Sequence, residues 1–167
     1  LTAHKDKAIG PLKLHYHDHH LPALDDLAAE VKAAHEGERA VAAHCVTRAE
    51  LMLTLAAIEM AGPMDGDRIE HAAIADEAAI EWMKRLGVIV VTQPNFIAER
   101  AETYLADVEP RDHKNLWRLN GFREAGLAVA AGSDAPFGDP GPWAAMQAAC
   151  RRPPGFGENE ALTPEQA

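Results

Sequence analysis

The sequence predicts an α/β fold made of parallel βα units, and three observations support this prediction. The chain has 167 residues, of which 47% are hydrophobic and 25% are charged, so about one domain with a substantial core is expected. Five short, mostly apolar runs alternate with longer segments whose apolar residues have helical spacing. The fourth run, 88–93, is β-branched and unbroken, which is typical of a parallel strand buried on both faces.

The predicted strands and helices alternate along the whole chain. The five predicted strands are the runs 12–16, 40–45, 68–71, 88–93 and 127–131. The predicted helices lie at about 22–35, 47–61, 76–86, 110–125 and 143–150, and 163–165 resembles the start of another. Thr47 and Glu50 have the spacing of a capping box, and Gly37 and Gly87 suit helix ends. The apolar residues of segment 95–110 follow neither helical nor strand spacing, so no element is predicted there.

Two architectures share this order of elements: an open doubly wound sheet and a (β/α)8 barrel. Five strands are too few for a whole barrel, which takes about 250 residues. No glycine-rich phosphate-binding loop follows any predicted strand, which argues against a nucleotide-binding sheet. We interpret residues 1–167 as a single domain without an interdomain linker.

Charge and composition argue against several classes of function. The chain has 16 Lys plus Arg and 26 Asp plus Glu, a formal net charge of −10, which argues against binding to nucleic acid or to anionic membranes. No apolar run approaches the roughly 18 residues of a transmembrane helix. The two cysteines, Cys45 and Cys150, make no disulfide framework, so a reducing, cytoplasmic location is expected.

Residue types that bind metals stand at the ends of three predicted strands. His44 ends the second strand, His71 ends the third, and Asp134 follows the fifth. In parallel α/β folds the carboxyl ends of the strands carry the active site, and imidazole and carboxylate groups suit Zn²⁺ or a similar ion. Each residue has an ordinary explanation, a hydrogen-bonded histidine or a turn cap. Their joint occurrence is what predicts a metal site.

Four segments resemble the later strands of the amidohydrolase superfamily, most closely its amidohydrolase-3 branch, which includes enzymes like N-substituted formamide deformylase. These segments are VAAHCVTR at 41–48, RIEHA at 68–72, VTQPNF at 91–96 and GSDAP at 132–136. The resemblance implies strands four to eight of a TIM-type (β/α)8 metal-dependent hydrolase barrel, incomplete in this chain. Because an incomplete barrel leaves open strand edges, we expect the missing barrel half or a homo-oligomer as partner.

The resemblance also implies hydrolysis of an amide or other non-peptide C–N bond in a small molecule. His44, His71 and Asp134 match family positions that bind one or two divalent ions, usually Zn²⁺. Asp134 further matches the general base, which takes a proton from a metal-activated water and delivers it to the leaving nitrogen. Gln93 and Asn95 follow strand seven, and we expect them to contact the substrate.

Several alternatives remain open. Lys13 lies where some family members have a carboxylated, metal-bridging lysine, and an exposed or salt-bridged lysine explains the position equally well. His15, His17, His19 and His20 are interpreted as loop residues, with a substitute metal cluster as the second interpretation. The chain could also be a non-catalytic fragment or binding module, or a metal-dependent deaminase of the same superfamily.

Overall fold

Five parallel strands form one sheet, and their order in the sheet is their order along the chain. The computed structural model describes residues 9–167. The strands are β1 (Leu12–Leu14), β2 (Val41–Cys45), β3 (Arg68–His71), β4 (Ile89–Thr92) and β5 (Val129–Ala131). A doubly wound sheet reverses its strand order at a switch point, whereas a sequential parallel order is that of a barrel wall. The predicted α/β fold of parallel βα units is confirmed.

Helices follow every strand and cover one face of the sheet. The helices are α1 (Leu24–Glu36), α2 (Arg48–Ala61), α3 (Glu77–Leu86), α4 (Pro94–Glu99), α5 (Ala101–Asp107), α6 (Asn120–Glu124) and α7 (Pro142–Cys150). Thr47 Oγ1 accepts the Glu50 N–H at 3.1 Å, and the Glu50 carboxylate accepts the Thr47 N–H at 2.9 Å. The predicted capping box is therefore confirmed. Within residues 9–167, no helix combines the length and the apolar character needed to cross a bilayer.

The predicted helix at 110–125 is wrong, because its middle pairs with the chain that follows β3. Only a 3-10 helix, Pro110–Asn115, and the short α6 form there. Between them the Trp117 N–H donates to the Ala73 carbonyl at 2.8 Å, and Trp117 has a left-handed φ of 46°. This bond and the one from the Ala75 N–H to the Asn115 carbonyl, at 3.0 Å, hold the backbone outside the helical region. The helix start predicted at 163–165 is also wrong, since this segment forms only a turn.

The two faces of the sheet differ in burial. The face that packs against the helices holds the main hydrophobic core, and one row across its strands is at most 3% exposed: Leu14, Ala43, Ile69 and Val90. The opposite face carries polar side chains that are half-buried or exposed, among them Lys13, His44 and Glu70. The candidate site lies on this second face, at the carboxyl ends of the strands.

Candidate metal centre

His44 and His71 lie side by side at the carboxyl ends of β2 and β3. Their ring centroids are 4.5 Å apart and their planes meet at 74°. His44 is half-buried, and His71 is buried, with 6% exposure. The structure thus brings together two of the side chains that the sequence predicts as metal ligands.

An unusual backbone conformation accompanies the contact of His71 with His44. Strand alternation would direct His71 toward the helices, because its register partner Cys45 points there and contacts Thr54 of α2. His71 and Ala72 instead have φ values of 73° and 47°, in a region that residues other than glycine seldom adopt. Backbone strain of this kind clusters at functional sites. Here it allows the imidazole to lie against His44 on the polar face.

Gln93 sets the tautomer of His71. The His71 Nδ1–H donates to Gln93 Oε1 at 2.7 Å, and both side chains are buried. With the proton of the neutral ring on Nδ1, the lone pair of Nε2 is available to a metal ion. Trp117 borders the same ring edge-on, with 6.2 Å between centroids. In this arrangement Gln93 positions His71, and its contact with substrate stays a prediction.

His44 is held in its neutral form. Burial, followed by the nearby charges of His71, His15 and Lys13, lowers the pKa of His44 from 6.5 to about 4. At neutral pH the ring is therefore uncharged, which is the form that binds metals. Lys13 lies on the same sheet face, opposite Ala42 in the register, and is exposed. A carboxylated Lys13 as metal ligand stays a prediction.

Three further histidines extend the pair toward the surface. The ring centroid of His15 lies 4.2 Å from that of His44 and 5.0 Å from that of His17, which in turn lies 5.5 Å from that of His19. We name these five rings, His19, His17, His15, His44 and His71, the imidazole row. The three outer histidines belong to the loop after β1, as the sequence predicts. Through His15, this loop contacts His44 of the candidate site. Their alternation at positions 15, 17 and 19 is the sequence signal for this placement.

Asp134 is not gathered with the two histidines into one cluster. It is exposed on the loop after β5, with a φ of 53°, and its carbonyl accepts the Phe137 N–H at 2.9 Å. In the part of the chain that the structure describes, no group of three or more His, Cys, Asp or Glu side chains is close enough to hold a metal ion. The predicted joint ligation by His44, His71 and Asp134 therefore stays a prediction.

Asn95 connects α4 to the loop that carries Asp134. Its side chain is 2% exposed, and Nδ2 donates to Glu99 Oε1 at 3.0 Å and to the Ser133 carbonyl at 3.4 Å. Gly138 packs so closely here that a Cβ atom would overlap the Asn95 amide. Among the described residues, Asn95 Oδ1 is buried without a hydrogen-bond partner. The predicted contact of Asn95 with substrate stays a prediction.

The donor chemistry of His44 and His71 fits a divalent ion. Both rings offer neutral nitrogen, which suits Zn²⁺ and related transition metals. Two such donors leave coordination positions that a third protein ligand, water or substrate must fill. The described pair is thus suited to form one side of a metal site.

Known proteins resemble this chain in sequence and in fold. A sequence profile described as the Amidohydrolase family matches residues 8–167. YtcJ of Bacillus subtilis (strain 168), which carries the provisional name of an amidohydrolase, is 27% identical over 147 residues, 83% of this chain and 28% of that protein. The structure of an uncharacterized metal-dependent hydrolase from Pyrococcus furiosus matches with a TM-score of 0.77 and 24% identity, over 87% of this chain and 30% of that one. A. niger ochratoxinase matches with a TM-score of 0.57 and 24% identity, over 96% and 33%. The chain therefore spans 28–33% of the length of these proteins.

Proposed function

Because the chain belongs to the amidohydrolase family, we propose that it forms part of a metal-dependent hydrolase whose site includes His44 and His71. The contact between these two rings, 4.5 Å apart at the carboxyl ends of adjacent strands, carries the proposal. We propose Zn²⁺ as the ion, in one or two copies, because imidazole nitrogens suit it. Asp134 and Lys13 are the further ligands in this proposal.

The chemistry we propose is hydrolysis of an amide or another non-peptide C–N bond in a small molecule. A divalent ion supplies Lewis acidity to the scissile carbonyl and to water when it is bound. The Asp134 carboxylate accepts a proton as the new C–O bond forms and gives it to the nitrogen as the C–N bond breaks. Gln93 holds the His71 tautomer throughout, and contact of Asn95 with the substrate belongs to the same proposal.

We propose that further strands complete the site beside the two outer strands. Within residues 9–167, β1 and β5 each pair with only one strand, and such edges present unpaired backbone groups. Ala130 and Ala131 of β5 are exposed. The missing strands would come from the rest of a longer protein or from a second copy. A cytoplasmic location belongs to the same proposal, supported by the free thiols of Cys45 and Cys150.

Amine release from a panel of N-formyl and N-acyl amines tests the hydrolase proposal. We expect turnover by the Zn²⁺-loaded protein that chelation abolishes and Zn²⁺ restores. Asp134→Asn should lower kcat/KM by about 100-fold or more, the scale of a lost general base. His20→Ala, an exposed histidine on the turn after β1, serves as the matched control and should be unchanged.

Two results would count against catalysis by this site. Turnover that persists in Asp134→Asn would remove Asp134 from the proton transfer. A folded, Zn²⁺-loaded protein that contains the completing strands and still hydrolyses no member of the panel would favour the non-catalytic binding module instead.

A further inference from the structure

The outer part of the imidazole row is a set of metal-ligating side chains that the proposed catalysis does not use. His15, His17 and His19 are all exposed, on the turn between β1 and α1. We propose that these three side chains form a second site for a divalent transition-metal ion, at the mouth of the candidate centre and distinct from the His44–His71 pair.

The spacing of these rings suits imidazoles that share one ion. At a Zn–N distance of about 2 Å, two tetrahedrally arranged imidazoles have ring centroids about 5 Å apart. The observed distances are 5.0 Å for His15 and His17 and 5.5 Å for His17 and His19. The ring nitrogens of the described chain do not converge in the present rotamers. Exposed side chains change rotamer within nanoseconds, and the proposed site requires the three rings to rotate so that their nitrogens meet.

The backbone of the turn is already ordered. The His20 N–H donates to the His17 carbonyl at 2.7 Å, and these two residues form an antiparallel bridge. Thr47 Oγ1 donates to Asp18 Oδ1 at 3.0 Å, which ties the turn to the start of α2. Because the loop is ordered before binding, an ion would bind without the entropic cost of ordering it.

The chemistry of the donors determines which ions this site takes. Imidazole nitrogen suits Zn²⁺, Ni²⁺ and Cu²⁺, whereas Mg²⁺ and Ca²⁺ prefer oxygen donors. The net charge of −10 attracts cations in general, so selectivity for transition metals is the specific expectation. The contact of 4.2 Å between the rings of His15 and His44 places an ion at the outer site one ring away from the inner pair.

Calorimetric titration with Zn²⁺ tests the outer site without reference to activity. The parent variant is His44→Ala/His71→Ala, which lacks the inner pair, so failure of the proposed hydrolase site does not affect the result. We expect this variant to bind Zn²⁺ but not Mg²⁺. Adding His17→Ala and His19→Ala should weaken Zn²⁺ binding at least about tenfold, whereas adding His20→Ala should leave it unchanged.

A second measurement covers the case in which the parent variant does not fold. In the otherwise unchanged chain, calorimetric titration should find about one more Zn²⁺ per chain than in His17→Ala/His19→Ala. Zn²⁺ affinity that survives the loss of His17 and His19 would overturn the outer site. So would a folded parent variant that binds no Zn²⁺, or equal Zn²⁺ stoichiometry in the unchanged chain and in His17→Ala/His19→Ala.

Discussion

The His44 ring should remain neutral far below the pH at which an ordinary histidine takes up its proton. Burial is the largest cause of its low pKa, about 4, and the charges of His71, His15 and Lys13 act in the same direction. An NMR titration of the metal-free protein should therefore show a His44 midpoint near 4, with the signal assigned by its loss in His44→Gln. Lys13→Met should raise this midpoint by only part of a pH unit, because burial remains.

The low pKa of His44 also makes the free energy of unfolding depend on pH. The folded-state pKa lies below the ordinary value of 6.5, so the unfolded chain binds more protons between pH 6.5 and 4, and stability falls as the pH falls through this window. Each pH unit of pKa difference corresponds to about 1.4 kcal/mol, and solvent screening around a half-buried ring reduces the total to roughly 1–2 kcal/mol. Urea unfolding at neutral pH and near pH 4 should show this loss relative to His44→Gln.

Three results would contradict the expected titration of His44 and its effect on stability. A midpoint near 6.5 in the unchanged protein would mean that the ring is solvated and that burial does not lower its pKa. A return to 6.5 in Lys13→Met would make charge, not burial, the main cause. An identical pH dependence of unfolding in His44→Gln would assign the loss of stability to other groups.

Three further predictions concern buried side chains of the sheet and of the candidate site. Asp67→Ala should lower the free energy of unfolding by about 3–5 kcal/mol in urea, because the fully buried carboxylate accepts two backbone N–H groups and the His35 ring. Cys45 should resist a thiol reagent at pH 8 until the protein unfolds, since burial raises its pKa to about 12, whereas the half-buried Cys150 should react in the native state. Gln93→Leu should weaken Zn²⁺ binding by about 10–100-fold in a competition assay with a chelating dye, because the His71 ring loses its hydrogen-bond partner.

Each of these predictions has a control or an outcome that would contradict it. Asp65→Ala changes an exposed carboxylate near Asp67 and should cost less than about 0.5 kcal/mol; an equal loss in both variants would remove the special role of Asp67. Rapid reaction of two thiols per native chain would show that Cys45 is accessible. Unchanged Zn²⁺ affinity in Gln93→Leu would mean that the tautomer of His71 does not limit binding.

Local sequence patterns were sufficient to predict most of the strands and helices. The β-branched run at 88–93 became β4, and the capping pair Thr47 and Glu50 starts α2 with both predicted hydrogen bonds. These features depend on residues near one another in the chain, so period and spacing reveal them. The helical spacing of apolar residues at 110–125 led to a wrong prediction, because a long-range hydrogen bond replaces the helical one in the middle of this segment. The Trp117 N–H bonds to the Ala73 carbonyl, and no local pattern contains that bond.

The candidate site was predictable at the level of strand ends but not at the level of contacts. His44 and His71 could be located because each ends a strand and adjacent parallel strands end at the same edge. The left-handed backbone of His71, which accompanies its contact with His44, could not be foreseen, since strand alternation predicts the opposite face. The contact of His15 with His44 depends on the fold of a turn, which residue types alone do not determine.

Zinc content of the purified chain tests most directly whether His44 and His71 together hold a divalent ion. The background variant His17→Ala/His19→Ala removes the outer site, so only the inner pair is measured. After equilibration with Zn²⁺ and dialysis, elemental analysis should find about one Zn²⁺ per chain, and His71→Ala added to this background should lose it while His20→Ala keeps it. Zinc that remains in full after His71→Ala, or a folded background variant that retains none, would contradict the claim.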